Sequence, residues 1–196
     1  MLLKETVLAI KWFPAGLLNV LLLKLRRANI GTNFISYGLI FIRGTGSIVI
    51  GDNVTINSCR ETNPIGGDCK TIMHIKEGGS LRIGNGVGIS NTTLVSTDNI
   101  TIEDYVLVGG STKIYDNDFH SIHYQKRISP NDTDIRHAPV VIRSGAFIGA
   151  HCIILKGVTI GEKSIVGAGS VVTHSIPAGE VWAGNPAKFV KKIGGV

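Results

Sequence analysis

The sequence predicts an all-β solenoid of short strands that coil and stack, and three features of residues 140–173 support this prediction. A β-branched aliphatic residue recurs at every sixth position, at Ile142, Ile148, Ile154, Ile160, Val166 and Val172. A small residue follows four positions later, at Ala146, Cys152, Val158, Ser164 and Ser170, and glycines fall between these positions. A period of six matches neither a helix nor a simple strand. A coil with one inward aliphatic per rung can bury that side only by stacking on its neighbours.

The period continues on both sides of two predicted loops. It begins raggedly at Ile30 and is interrupted at residues 59–71, where Pro64, Gly66 and Gly67 are typical of a loop thrown out from one corner. It resumes with Ile83, Ile89 and Val95, slips by one residue at the TDN turn, and continues with Ile102, Val108 and Ile114. A second loop is predicted at about residues 115–139. Loops on a repeat scaffold are where functional residues tend to lie.

The two ends of the chain do not follow the period. Residues 1–27 are rich in leucine and are predicted to form one or two helices, broken near Pro14 and Gly16. The apolar run at 17–23 is far too short to span a bilayer, so the segment is either a cap on the first coil or a surface contact with a membrane. At the other end, Pro186 is expected to stop any strand, and residues 188–193 to form a short turn or helix.

Length and composition indicate one core extended by stacking in the 196-residue chain. The net charge of +6 is concentrated at the two ends of the chain, and no nucleic-acid-binding motif accompanies it, so no nucleic-acid partner is expected. An odd number of cysteines without a recognisable signal peptide favours a reduced, cytoplasmic chain, with a Cys59–Cys69 disulfide as the alternative.

Residues 148–193, IGAHCIILKGVTIGEKSIVGAGSVVTHSIPAGEVWAGNPAKFVKKI, resemble the hexapeptide-repeat acyltransferases, in particular galactoside, maltose and capsular-polysaccharide sugar O-acetyltransferases. The likeness extends over most of residues 30–193. It implies a left-handed parallel β-helix in which three hexapeptides form one triangular coil. The predicted organisation is a helical cap at 1–29, the β-helix at 30–186 with its two protruding loops, and a C-terminal tail at 187–196.

His120, in the motif YDNDFHSIH, is the candidate general base. A neutral imidazole is well suited to take a proton from an alcohol near neutral pH. The resemblance implies the same role, because related O-acetyltransferases carry a catalytic histidine at the start of this loop. Asp118 or Asp116 would accept a hydrogen bond from the other ring nitrogen, unless both are ordinary turn carboxylates.

A metal site is the alternative use of the loop histidines. His120, His123 and His137 invite comparison with the β-helical carbonic anhydrases. A catalytic zinc site needs three ligands that converge from defined positions. Two of these histidines are too close together in an irregular loop, and no clear third ligand lies on an adjacent coil. No metal is therefore expected.

The resemblance also implies that acetyl-CoA binds in the groove between neighbouring chains of a homotrimer. The positions that match the family's contacts are Ala150, Ala168, Thr173, His174, Lys188 and Lys191. Small residues let the pantetheine arm approach the backbone, and lysines neutralise phosphates. Ala150 and Ala168 are equally explained as plain repeat positions. Candidate acceptor contacts are Ser90, Asn91 and Asp98, which are also normal turn residues.

The expected function is acetyl-CoA-dependent O-acetylation of a hydroxyl on a sugar or polysaccharide precursor, in the cytoplasm or peripherally at the inner face of the membrane. Two alternatives remain open. One is N-acetylation of an amino sugar or antibiotic on the same scaffold. The other is a non-catalytic or carbonic-anhydrase-like β-helix protein.

Overall fold

The computed structural model describes the backbone of residues 2–194 and the side chains of residues 11–194. Helix α1 spans Leu2–Leu25 and precedes the coils. The strands before the second loop are β1 Asn29–Ile30, β2 Ile35–Tyr37, β3 Phe41–Arg43, β4 Ser47–Ile50, β5 Thr55–Asn57, β6 Ile72–Ile75, β7 Ser80–Ile83, β8 Gly88–Ser90, β9 Thr93–Ser96, β10 Asn99–Ile102, β11 Leu107–Val108 and β12 Lys113–Tyr115. Those after it are β13 Val140–Ile142, β14 Phe147–Ile148, β15 Ile153–Ile154, β16 Thr159–Ile160, β17 Ile165–Val166, β18 Val171–Val172, β19 Glu180–Gly184 and β20 Ala187–Lys192.

Successive strands belong to three sheets in turn, so the chain winds round a three-sided coil. Sheet A has the order β1-β4-β7-β10-β13-β16, sheet B begins β2-β5-β8-β11-β14-β17, and sheet C stacks β3-β6-β9-β12-β15-β18. The stacked strands are parallel and in register, as where Ile114 pairs with Ile154 and Ile154 with Val172. The predicted solenoid of stacked six-residue rungs is therefore confirmed.

The core follows the period that the sequence shows. The six periodic aliphatics and the five small residues that follow them are each at most 1% exposed. Both sets therefore point inward, and the small set lets the chain turn each corner. The corners also stack closely: a Cβ on Gly149 would lie 2.5 Å from the backbone nitrogen of Ala168, so this position has no room for a side chain.

Helix α1 packs against β1 and β2 and covers the first coil. Asn19 is fully buried, and its amide donates to Ser36 Oγ and to the Gly38 carbonyl, both at 2.9 Å. Leu23 joins the core cluster. The expected break near Pro14 and Gly16 is wrong, because α1 runs through both residues. Packing on the coil outweighs the cost of about 3 kcal/mol that a proline imposes on a helix interior.

The C-terminal segment differs from the prediction. Strand β19 adds to sheet B in parallel with β17, and β20 pairs with β19 in the antiparallel direction. The expected turn or helix at 188–193 is therefore wrong. Pro186 lies between β19 and β20, where its missing N–H is not needed for pairing, and the Asn185–Pro186 peptide is cis.

Both predicted loops leave the coil at corners. The first contains a 3₁₀ turn at Pro64–Gly66, and the second contains the one-turn helix α2 at Tyr124–Arg127. The two ends of the second loop pair with each other through a bridge between Asn117 and His137. Neither helix within residues 2–194 is both long and apolar enough to cross a membrane.

Candidate active site

The base of the second loop is held by the buried carboxylate of Asp116. It accepts hydrogen bonds from Ser96 Oγ at 2.7 Å, from the backbone nitrogens of Thr97 and Asp98 at 2.8 and 2.9 Å, and from Asn117 Nδ2 at 3.1 Å. Four donors compensate for the lost hydration of a fully buried charge. Asp116 therefore joins the loop to the preceding coil and does not contact His120.

A tight turn presents His120 to solvent. Phe119 adopts a positive φ of 63°, and its backbone nitrogen donates to Asn117 Oδ1 at 3.0 Å. Its ring packs edge-on against Tyr115, with 4.9 Å between the ring centroids. Burial raises the pKa of the Tyr115 hydroxyl above its ordinary value. The aromatic pair thus fixes the turn, and the next residue, His120, points outward with 68% of its side chain exposed.

The imidazole of His120 is oriented by Asp132, from the far side of the same loop. His120 Nδ1 lies 2.8 Å from Asp132 Oδ2, and Asp132 Oδ1 also accepts from the Ser121 backbone nitrogen at 3.1 Å. A carboxylate can only accept, so in the neutral ring Nδ1 carries the proton and Nε2 has the lone pair. This is the tautomer that a general base requires.

Asp118, which the sequence suggested as the orienting group, has a different partner. Its Oδ1 lies 2.7 Å from Lys156 Nζ, on the coil after the loop. The prediction that Asp118 orients the histidine is therefore wrong, because its carboxylate joins the loop to the next coil. The segment PNDTD, which contains Asp132 and Asp134, was the available signal for a carboxylate within the same loop.

The remaining loop histidines each have a carboxylate of their own. His137 Nδ1 lies 3.0 Å from Asp98 Oδ2, and His123 Nε2 lies 3.6 Å from Asp134 Oδ2. The Lys126 ammonium hydrogen-bonds to Asp134 and holds the pKa of that carboxyl below its ordinary value. Within the described residues, no three His, Cys, Asp or Glu side chains converge as metal ligands would. The carboxylate of Asp98, which was expected to contact the acceptor, is instead paired with His137.

The first loop covers two of the predicted acceptor contacts. Asn91 is 1% exposed, and its amide donates to the Cys69 carbonyl within that loop. The prediction that Asn91 contacts an acceptor is therefore wrong, because its side chain is buried against Gly66. Ser90 Oγ accepts from Asn63 Nδ2 at 2.8 Å. Its side chain is an anchor for the first loop and also lines a neighbouring cleft.

This cleft, about 310 Å³ in volume, lies between the outer face of sheet B and the first loop. Its lining combines amide and hydroxyl groups with apolar side chains: Thr55, Asn57, Asn63, Ile65, Ser90, Leu107, Phe147 and Ala150, with glycines between them. A cleft with apolar walls and a few polar groups is the usual form of a small-molecule site. The sequence pattern did not indicate it, because the first loop supplies one wall.

The predicted cofactor residues lie at two different corners and on the last strand. Ala150 and Ala168 follow β14 and β17, where sheet B turns into sheet C. Thr173 and His174 follow β18, at the other end of sheet C, with Thr173 Oγ1 2.8 Å from His174 Nδ1.

Lys188 and Lys191 lie exposed on β20. His120 follows β12 and so shares the corner of Thr173. These two corners are separated by one side of the triangular coil. On sheet C this side runs from residue 150 to residue 156, six residues, or roughly 20 Å at about 3.3 Å per residue. A single chain therefore does not bring His120 to the alanine row.

Comparisons with known proteins agree with this architecture. Residues 139–174 match the family model described as bacterial transferase hexapeptide (six repeats). Galactoside O-acetyltransferase of Escherichia coli (strain K12) is 33% identical over 122 residues, which are 62% of this chain and 58% of that protein. The chain thus spans less than two thirds of the length of this curated relative.

Two solved structures share the fold. A variant of AntD, an N-acyltransferase from Bacillus cereus crystallised with dTDP and coenzyme A, superposes with a TM-score of 0.67 and 26% identity, over 86% of this chain and 88% of that one. A hexapeptide-repeat acetyltransferase from Vibrio cholerae, crystallised with acetyl-CoA, superposes with a TM-score of 0.53 and 23% identity, over 86% of this chain and 69% of that one. With the matched repeat, these likenesses confirm the left-handed parallel β-helix.

Proposed function

Since this chain is a hexapeptide-repeat protein with a left-handed parallel β-helix, we propose that it is an acetyl-CoA-dependent acetyltransferase whose acceptor is a hydroxyl of a sugar or polysaccharide precursor. The observation that carries the proposal is the His120–Asp132 pair. It leaves a basic ring nitrogen, Nε2, free at an exposed loop tip. The relatives add support, because one is named a galactoside O-acetyltransferase.

In the proposed reaction His120 Nε2 takes the proton of the acceptor hydroxyl as its oxygen attacks the thioester carbonyl. The tetrahedral intermediate then expels the thiolate of coenzyme A, and the imidazolium gives this thiolate the proton that came from the acceptor hydroxyl. Asp132 stabilises the positive ring through Nδ1 while the proton is held. Such a base is worth roughly 10² to 10⁴ in rate. The acetyl group passes directly to the acceptor, and no acyl-enzyme is formed.

The cosubstrate site is proposed to lie along the row of Ala150 and Ala168. Ala150 is half-buried and Ala168 is exposed, and their side chains are single methyl groups, so a pantetheine arm could approach the backbone there closely. The exposed Lys188 and Lys191 would neutralise phosphates of the nucleotide end. The Vibrio cholerae and Bacillus cereus structures were crystallised with acetyl-CoA and coenzyme A, which supports this choice of donor.

A homotrimer is part of the proposal. His120 and the alanine row belong to different corners of one chain, so a seam between two chains is needed to bring them together. A closed three-fold assembly supplies three equal seams. The proposed setting is the cytoplasm, which suits the three free thiols Cys59, Cys69 and Cys152.

A second candidate function is transfer to an amine, because AntD, with the TM-score of 0.67, is named an N-acyltransferase. The two candidates are separated by an acceptor panel of neutral sugars, nucleotide-linked sugars and their amino counterparts, with release of free thiol from acetyl-CoA as the readout. Acetylation of hydroxyl-only acceptors supports the first proposal. Acetylation confined to amino sugars replaces it with the second.

The catalytic assignment is tested with His120→Ala and with His123→Ala as the matched control. His123 lies in the same loop and is 56% exposed, but pairs only with the exposed Asp134. We expect His120→Ala to lose at least about 100-fold in thiol release, while light scattering shows an unchanged assembly. The control should retain native activity. A His120→Ala protein with more than a few per cent of native activity would remove His120 from the role of base.

A further inference from the structure

One face of α1 is apolar and uncovered. Its members are each 42–72% exposed: Phe13, Leu17, Leu18, Leu21 and Leu25. At about 100° per residue these positions span about 140° of the helix circumference. The opposite side carries Asn19 and Leu23, which are fully buried on the coil. The helix therefore uses one side to cap the solenoid and presents a second apolar side to its surroundings.

Basic side chains border this apolar face. On a helical projection Lys24 lies between Phe13 and Leu17, and Lys11 lies beyond Leu18 at the other margin. Arg27 follows the helix, and residues 11–28 contain no Asp or Glu. Lys11 makes a long contact of 3.8 Å with Glu61, and its ammonium lies 5.0 Å from the centroid of the Trp12 ring. Within the described part of the chain, Lys24 and Arg27 form no ion pair.

We propose that this face of α1 docks on an anionic lipid bilayer, with the helix lying in the plane of the interface. An apolar stripe with lysine and arginine at its margins matches acyl chains below and negative headgroups around them. The helix is not apolar enough to cross the bilayer. A second copy of the chain is a poorer occupant, because each copy would bring its Lys24 against a helix segment, residues 11–28, that contains no Asp or Glu to pair with it.

Docking through α1 has a geometric consequence for the candidate active site. Because α1 covers the first coil, the solenoid axis points away from the lipid surface. The loop of His120 leaves β12, which belongs to the fourth coil. Three coil spacings of about 4.8 Å put that loop roughly 15 Å further from the lipid than the first coil.

The proposal is tested by co-sedimentation of the full chain with vesicles. Native protein should sediment with vesicles of phosphatidylcholine mixed with phosphatidylglycerol, and remain in solution with phosphatidylcholine alone. The double variant Leu17→Glu, Leu21→Glu should lower the partition coefficient by at least about tenfold. Lys24→Glu should weaken binding to the mixed vesicles, and high salt should weaken native binding.

Ile128→Glu is the matched control. Ile128 is 58% exposed, about as much as Leu17 (57%) and Leu21 (54%), but it lies on the second loop and not on α1. It should bind as the native chain does. Three results would each overturn the proposal. These are no native binding to the mixed vesicles, equal binding to neutral vesicles, and native-like binding by the Leu17→Glu, Leu21→Glu variant. If that variant instead dissociates an assembly that never binds vesicles, the face is an interface between copies.

Discussion

Replacing Asp132 with asparagine should block the proposed base more effectively than removing the side chain altogether. In the native loop, Asp132 accepts from both Ser121 N and His120 Nδ1. Asparagine has one oxygen, and the shorter Ser121 N contact, 3.1 Å to Oδ1 against 3.3 Å to Oδ2, favours placing that oxygen at the Oδ1 position, with the NH₂ group facing His120 Nδ1. That nitrogen would then have to accept, and the ring proton would move to Nε2. The base would lose its lone pair at the reacting position.

The size of the effect follows from the cost of the other orientation of the amide. Turning the amide round would set its NH₂ group against the Ser121 N–H, leave that NH₂ donor without an acceptor, and keep only the longer 3.3 Å contact for Ser121 N. An unsatisfied donor costs about 1–3 kcal/mol, which disfavours the active tautomer by roughly 5- to 150-fold. Asp132→Ala lets the ring choose either tautomer, so its loss of rate should be smaller. Asp118→Asn should change the rate little, because Asp118 contacts Lys156.

The assay is thiol release from acetyl-CoA with the best acceptor of the panel, measured from pH 5 to 9 for each variant. We expect the rate order native, then Asp132→Ala, then Asp132→Asn, and an altered pH profile for both Asp132 variants. A merely structural role would change the assembly or stability and leave the pH profile in place. If Asp132→Asn proves as active as the native protein, Asp132 does not set the tautomer.

Three further predictions concern stability. Ile154→Ala should lower the free energy of unfolding by about 2–5 kcal/mol in urea titrations, because Ile154 is fully buried between β12 and β18; an unchanged midpoint would contradict this. Asp116→Ala leaves two backbone N–H donors without their acceptor and should cost about 3 kcal/mol, with faster hydrogen exchange at those amides. Slow exchange in the variant would count against it. Burial, together with two nearby basic side chains, lowers the pKa of His74 below its ordinary 6.5. The unfolded chain therefore binds more protons, and stability falls as the pH drops below 6.5. His74→Gln should lose less stability between pH 7 and 5, and parallel curves for the two proteins would refute this assignment.

The coils could be predicted because each rung repeats the same local geometry. Ile142, Ile148 and Ile154 occupy equivalent inward positions, so their spacing reports burial directly. The Asp132 contact could not be read from spacing. It joins residues 12 positions apart in an aperiodic loop, and it depends on the backbone reversal at Phe119. Local sequence patterns do not specify such a path.

Two other differences also have tertiary causes. Asn91 looks like an ordinary turn residue, but the first loop folds over it and takes its hydrogen bond. Pro186 indicates the end of a strand, yet the chain reverses there and pairs β20 with β19. In both cases a segment distant from the repeat, or beyond it, supplies the partner. The period could not contain that information.

The β19–β20 hairpin ends sheet B, one of the three sheets of the solenoid. A stack of parallel strands has no natural limit, because its last rung offers the same unpaired amides as every rung before it. Sheet B finishes instead on a strand of opposite direction that carries Lys188, Lys191 and Lys192. A chain that docked end to end there would meet the wrong polarity and a row of positive charge. Loss of the hairpin would leave β17 as an unpaired parallel edge of sheet B, which is the kind of edge that pairs with strands of other chains.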